Sequence, residues 1–418
     1  MSAASWPQRY AGLAERLPEL AQRARLVLGG LGACVDVYIR LEEALRVLEG
    51  APATPAAALR QLLLERARRG IGGEVRFDWP DGPAWLDARL PRRLGLGGTG
   101  AQAAQTLAVL GAPTLLALSD RSAAQLALIH PNVRVAGADG IVPARAVAGA
   151  GRGRAPHYIV EFTAGVPAGD LVPPRSSRVI VRFEDDPLEP DPWFERASVE
   201  VAASAGAAIL SGFNALPAGA LPDLLARVRP LAGSWRAAGL RPVHLELGDF
   251  PDPAGMNEVL SGLAGSAASL GLSQSELLKL VPHGRSVVDR AQSLAERFGF
   301  DRVAVHADHF ALALTRNDPE AELEALMAGS LLAATRAYHG RIAVPDGCPP
   351  GAVFSEAPEP TNGRRGTWHL ACCATPYLPK PAATIGLGDT FLAGTLLILS
   401  QPDGRPPILL PRVKETTA

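Results

Sequence analysis

Thr384-Ile385-Gly386-Leu387-Gly388-Asp389-Thr390, followed by Phe391-Leu392-Ala393-Gly394-Thr395-Leu396-Leu397-Ile398-Leu399, decides the reading of this chain. Two glycines let the backbone turn tightly, and the apolar run after them reads as a buried helix. The free amides of such a helix start form an anion site. A carboxylate is a poor neighbour for a bound anion unless it does chemistry. Asp389 is therefore a candidate base for a substrate hydroxyl, beside Gly386 and Gly388. The plainer reading is a Gly-rich turn with Asp389 as a helix cap.

Outward from that segment, short apolar runs alternate with amphipathic stretches. Strands are expected at 25–31, 113–118, 157–162, 178–183, 206–211, 242–247 and 302–307. Helices are expected at 56–69, 101–110, 120–130, 191–203, 219–238, 285–299 and 318–338. Strands separated by helices of this length predict an α/β fold, with a mostly parallel sheet covered on both faces. Residues 71–96, rich in Gly, Trp, Pro and Arg, and the Gly/Arg hinge at 148–156 interrupt the rhythm. The segments 37–94 and 151–182 read as excursions that form a small lid domain. Residues 341–366, rich in Pro and Gly, read as a long loop.

Composition narrows the function. The 418 residues carry 41 Lys+Arg against 42 Asp+Glu, a net charge of −1, so nothing calls for nucleic acid or an anionic membrane. Hydrophobic residues at 47% and charged residues at 20% describe a globular chain that can bury a core without staples. The basic residues are Lys279, Lys380, Lys414 and 38 Arg, a bias of composition. Cys34, Cys348, Cys372 and Cys373 have no zinc-knot spacing, and the adjacent pair reads as buried strand. No apolar run reaches membrane-spanning length and the N-terminus has no signal core, so the expected location is the cytoplasm.

Further motifs carry candidate chemistry. Gly95-Leu96-Gly97-Gly98-Thr99-Gly100 satisfies G-x-G-x-x-G, with Asp120 twenty residues on. A dinucleotide site needs a buried strand running into Gly95, and Ala88-Arg89-Leu90-Pro91-Arg92-Arg93-Leu94 makes a poor one. The alternative is that Gly97 and Gly98 let a polar ligand approach a helix start. His244 and Glu246 share one face at a strand end, with Asp249 and Asp252 beyond, and such a Glu can hold Mg²⁺ through water. Asp36, His157, Glu161, Glu276 and His306 are single polar candidates at strand ends or on a short helix.

In order along the chain, these motifs resemble the ADP-dependent sugar kinases, the glucokinase and phosphofructokinase branch of the ribokinase-like superfamily. Asp36 matches the Asp that ends an early strand. Gly97 to Gln105 is similar to the family's G-G-x-x-G-x-x-A-N helix start, His157-Tyr158 with Glu161 to its lid strand, and Ser177-Arg178-Val179-Ile180 to its N-R-F-I strand. His244-Leu245-Glu246 matches H-x-E, Val305-His306 a V-H strand end, and Thr384 to Thr390 the T-V-G-x-G-D-T motif with Ile385 for Val.

The resemblance implies a large domain (1–36, 95–150 and 183–418) under a β-rich lid (37–94 and 151–182). It implies transfer of the ADP β-phosphoryl group to glucose or fructose 6-phosphate, giving AMP. Asp389 would be the base, with the Gly386–Asp389 amides as anion hole. Asp36, Gly97, Gly98, His157 and Arg178 would bind sugar, Glu246 and Glu276 would organise Mg²⁺, and His306, Thr384 and Gly386 would face the nucleotide. The assembly would be a monomer or small homo-oligomer. Arg178, Arg182, Arg76 and Arg89 could serve a sugar phosphate, and Glu74 or Asp78 a neutral sugar. The family's N-x-x-E appears here as Ser273-Gln274-Ser275-Glu276, which leaves a weakened or inactive relative, or an ATP-dependent kinase of the same fold, as the alternatives.

Overall fold

The computed structural model describes residues 5–49, 54–250, 253–359 and 361–402. An 11-stranded sheet forms the body. From one edge its strands are Asn362–Arg365, Trp368–Ala374, Phe310–Thr315, Arg302–His306, Ser269–Ser273, Val243–Glu246, Ala207–Leu210, Val27–Gly29, Thr114–Leu116, Arg134–Gly137 and Gly140–Pro143. The run from Arg302–His306 to Arg134–Gly137 is parallel, and the pairs at both edges are antiparallel.

Both faces of the body sheet are buried. Leu28, Ala208, Leu210, Val243 and Leu245 pack under the helices Leu221–Ala237, Pro253–Leu263 and Val287–Phe298. Val27, Ala207, Ile209, Ala311 and Ala313 pack under Trp6–Arg23, Pro319–His339 and Leu387–Leu399. Residues alternate between two apolar layers, so each strand reads as an almost continuous hydrophobic run. Cys372 and Cys373 are both buried, one in each layer.

A separate five-stranded sheet runs Gly73–Arg76, Ser177–Arg182, His157–Phe162, Cys34–Arg40, Arg93–Gly97. Val37, Ile39, Tyr158, Val160, Val179 and Val181 on one face close a core with the helices Leu41–Glu49 and Thr54–Arg68. By alternation the other face carries Cys34, Asp36, Tyr38, His157, Glu161 and Arg178. The small sheet therefore presents one apolar face to its own helices and one polar face to the body.

Several expectations change. The helix expected at 120–130 contracts to Ala123–Leu126. The stretch 71–96 holds two strands and the helix Gly82–Asp87. A strand does run into Gly95, but it is the antiparallel edge of the small sheet, paired with Cys34–Arg40. It is not the central parallel strand that a dinucleotide fold requires, and this removes that reading. The strands Cys34–Arg40, Phe310–Thr315 and Trp368–Ala374, the helix Trp6–Arg23 and the edge strand Asn362–Arg365 inside the expected loop add to the predicted set. Arg154 anchors the 148–156 segment through Asp186 at 3.0 Å and Glu189 at 2.6 Å. Among the described residues no helix is long and apolar enough to cross a membrane.

Candidate active site

In an open parallel sheet, ligands bind beyond the carboxyl ends of the strands, where the strand order reverses. Here Val27–Gly29 lies between Ala207–Leu210 and Thr114–Leu116, and the small sheet's polar face stands over that end. Gly386, in the left-handed region at φ 71°, is the N-cap of the helix Leu387–Leu399. Its missing side chain leaves room for the Arg336 guanidinium, which lies where a Cβ would be. Arg336 bonds Gln102 Oε1 at 2.8 Å and Thr390 Oγ1 at 3.1 Å.

Asp389 follows in the first turn of this helix. Burial raises its pKa, while the Arg336 cation, a bond from Thr99 and the charge of Arg178 pull against that rise. Asp36, 4% exposed, lies close enough for Asp389 to act on it. Burial, then Asp389, push Asp36 up to about 8, so it is a neutral donor at neutral pH. One carboxyl offers a proton to a ligand and the other, opposed by a cation, is suited to take one.

Gly98 caps the helix Thr99–Leu110 with φ 90°, packed against the Gly32 carbonyl, and Gly100 approaches the Gly30 carbonyl. These glycines thus allow close packing of helix on loop. Gly97 is different. It opposes Cys34 across the edge pair, and a side chain there would strike Asp36 and Cys34. His157 pairs in register with Asp36. Arg178 pairs with Glu161, and its buried Nε has no hydrogen-bond partner among the described residues.

Glu161 ties the two sheets together. One carboxylate oxygen accepts from the Thr384 amide at 2.7 Å, the Thr384 hydroxyl at 2.9 Å and the Ile385 amide at 3.3 Å. Thr384 is thus held by the small sheet at the entrance to the glycine turn. Arg175, paired with Asp308 at 2.7 Å, makes a second link between small sheet and body.

The H-x-E pair is the end of a buried polar chain. Glu246 is held at about 2: burial works against its charge, but His244 and His306 overcome that. Glu246 therefore accepts from His244 Nε2 at 2.9 Å, which makes Nδ1 the acceptor for Ser269 Oγ at 2.7 Å. Ser269 Oγ accepts from Arg302 at 3.1 Å, and Arg302 pairs with Glu322 at 2.8 Å. His306 reaches the other Glu246 oxygen at 3.5 Å and lies against Phe391 beside Gly388.

Ser273 and Glu276 form a capping box on the helix Gln274–Leu280, with the Glu276 carboxylate accepting from the Ser273 amide at 2.7 Å. Burial first, against that bond, raises Glu276 to about 7. Asp249 pairs with Lys279, while Asp252 lies outside the described residues. Sequence reasoning passed over Arg336. It sits on a helix buried almost throughout its length, and a cation there is the signal that could have marked it.

Comparison with known proteins gives this arrangement its family. A family profile described as "ADP-specific Phosphofructokinase/Glucokinase conserved region" matches residues 25–398. The ADP-dependent glucose/glucosamine kinase of Pyrococcus abyssi is 28% identical over 272 residues, covering 56% of this chain and 59% of that protein. Its namesake from Pyrococcus furiosus is 26% identical over 275 residues, covering 58% and 60%. The chain thus spans about three-fifths of the length of these curated relatives. An ADP-dependent kinase solved with fructose-6-phosphate and ADPβS shares the fold, with a TM-score of 0.76 at 17% identity over 97% of this chain and 100% of that one. With the family profile matched across most of its length, the chain belongs to the ADP-specific phosphofructokinase/glucokinase family.

Proposed function

We propose that the protein is an ADP-dependent hexose kinase. The observation that carries this reading is the position of Asp389. It stands at the start of a buried helix, within electrostatic reach of Asp36 on the small sheet and of Glu246 on the body. A base there meets an acceptor hydroxyl on one side and a phosphoryl donor on the other.

Asp389 takes the proton of the acceptor hydroxyl. The oxygen attacks the β-phosphorus of ADP, the bond from that phosphorus to its bridging oxygen breaks, and AMP leaves. The amides at Gly386–Asp389 face the charge that spreads over the transferring group, with the Arg336 cation close behind the turn. Asp36, as neutral carboxyl, and His157 hold the sugar at the Gly97 edge. His306 and Thr384 border the nucleotide side. The small sheet with its helices (34–97 and 151–182) acts as a lid on the rest of the chain, and closure excludes water that would otherwise take the phosphoryl group.

The donor set fits Mg²⁺ held through water. Glu246 and Glu276 are hard oxygen ligands near one another, yet each is already engaged by histidine or backbone. Bound there, the ion supplies charge neutralisation to the phosphates.

The acceptor in this reading is an uncharged hexose. Arg182 is engaged by Glu74 and by the Ala215 carbonyl, Arg76 by Asp185, and Arg89 lies over the Trp85 ring. Three of the four arginines named for a sugar phosphate are thus occupied. The two Pyrococcus relatives named as glucose/glucosamine kinases support the same choice.

The test crosses ADP and ATP with glucose, glucosamine and fructose 6-phosphate, with and without Mg²⁺. Turnover with ADP and a neutral hexose, yielding AMP, is expected. Turnover with ATP alone would overturn the donor. Turnover with fructose 6-phosphate alone would overturn the acceptor. ADP binding without turnover would point to a non-catalytic relative.

A further inference from the structure

Two inner strands of the small sheet bring together three side chains that the phosphoryl-transfer chemistry does not need as a group. Cys34 and Asp36 are two residues apart on one strand and so share a face, and His157 is the register partner of Asp36 on the next strand. Cys34 Sγ lies 3.5 Å from His157 Nδ1 and 3.7 Å from Asp36 Oδ1. All three ligand atoms fall within 4.8 Å of one another.

From this geometry we infer that Cys34, Asp36 and His157 form a three-ligand site for a thiophilic divalent cation, Zn²⁺, at the acceptor edge of the active site. Tetrahedral zinc, with bonds of about 2.3 Å to sulfur and about 2.0–2.1 Å to nitrogen or oxygen, separates a sulfur from a neighbouring N or O ligand by roughly 3.5 Å. The two distances from Cys34 match that spacing.

The electrostatics favour a cation. Burial first, then the neighbouring carboxyl groups, push the Cys34 thiol up. A dication reverses that preference for both groups: the Cys34 thiol and the Asp36 carboxyl each release a proton to solvent, and a metal–sulfur and a metal–oxygen bond replace the S–H and O–H bonds. Burial holds His157 neutral, down to about 4, which leaves its imidazole able to ligate. Mg²⁺ is a poor competitor here, since it prefers an all-oxygen octahedral shell.

Asp36 and His157 are also the residues assigned above to the acceptor, and on that reading metal and sugar exclude each other. Zn²⁺ then inhibits the kinase competitively against hexose, and hexose protects.

The experiment uses the full chain in a C348S background, with Co²⁺ as spectroscopic probe and Zn²⁺ as competitor. One equivalent of Co²⁺ is expected to give tetrahedral d–d bands and a thiolate-to-cobalt charge-transfer band. Both bands should disappear when Zn²⁺ or saturating glucose is added. C34S should remove the charge-transfer band and weaken Zn²⁺ binding by roughly 100-fold. H157Q, which keeps the thiol, should retain the charge-transfer band but lose the tetrahedral spectrum, so the site remains testable if C34S fails to fold. An octahedral spectrum without a thiolate band, or a band that survives C34S, overturns the site. A Cys34-dependent band that glucose does not displace in a protein that phosphorylates glucose overturns the competition. A Cys34-dependent band in a protein that turns over no hexose supports the metal site and refutes the kinase reading instead.

Discussion

Glu161 offers a direct test of how the small sheet and the glycine turn work together. It is 8% exposed and belongs to the small sheet, yet its carboxylate accepts from Thr384 twice and from Ile385 once, at the entrance to Gly386. Two of these bonds are short. Hydrogen bonds to a charged group contribute roughly 1.5–3 kcal/mol each, so the tether holds roughly 3–6 kcal/mol of loop order. Glu161→Gln keeps an acceptor oxygen but removes its charge, and a neutral bond has about half the strength. The loss is then roughly 1.5–3 kcal/mol. If the turn amides meet charge only as the phosphoryl group transfers, that loss falls on kcat. At 1.36 kcal/mol per decade it is roughly a 10- to 150-fold drop, with KM for the hexose little changed. Glu161→Ala leaves the donors without their acceptor and should cost more, with a lower Tm as well. The assay is steady-state kinetics at saturating ADP beside thermal unfolding. Both variants retaining kcat within about threefold of wild type would refute the idea that this tether organises the anion hole.

Asp389 has a raised pKa in the folded protein, and a base must be ionised, so turnover should fall as the pH drops through that raised value. The acid limb of kcat/KM is expected above the ordinary aspartate range. Arg336→Met, which removes the cation opposing the rise, should move the limb to still higher pH, a displacement that a purely structural arginine would not produce. Gly386→Ala combines a left-handed φ of 71° with a side chain aimed at the Arg336 guanidinium, and should lower kcat by at least an order of magnitude if the turn is forced to shift. Glu322→Gln breaks a pair in which Arg302 is 1% exposed and Glu322 is wholly buried. Removing one partner of such a pair costs roughly 3–5 kcal/mol, and a thermal or denaturant unfolding curve reads it.

The parts of the molecule legible in the sequence are those where chemistry and periodicity coincide. The parallel strands of the body are apolar on both faces, so Ala207–Leu210 and Arg302–His306 stand out as uninterrupted runs ending at polar residues. The glycine turn before Leu387–Leu399 is legible because a turn, a carboxylate and an apolar helix fall in sequence. The small sheet is harder to read. Arg93–Gly97 is an edge strand with an exposed arginine and four apolar or glycine positions, and nothing in Arg-Leu-Gly-Leu-Gly distinguishes it from a loop. Its strandhood comes from pairing with Cys34–Arg40, some sixty residues earlier, which is a tertiary fact. The helix expected over 120–130 fails for a related reason: Ser122 caps a single turn, after which the chain is drawn off toward the edge strands Arg134–Gly137 and Gly140–Pro143.

Arg336 shows the same limit at the active site. In a chain with 38 arginines the residue type carries little signal, and only its place in a long apolar helix marks this one. Its position acquires meaning through three residues of two other helices: Gln102 after the Gly98 cap, Thr390 after Asp389, and Gly386, whose bare backbone admits the guanidinium. The same helix carries Glu322 near its start, the end of the polar chain that reaches Glu246 through Arg302, Ser269 and His244. One buried helix thus supports both sides of the reaction: its first turn anchors the H-x-E pair and its last turn sets a cation behind the base. Helix register fixes the distance between those two supports, with a rise of about 1.5 Å per residue. A one-residue insertion between Glu322 and Arg336 would turn one support by roughly 100° relative to the other, and steady-state kinetics should show a loss of kcat like that from substituting the displaced support.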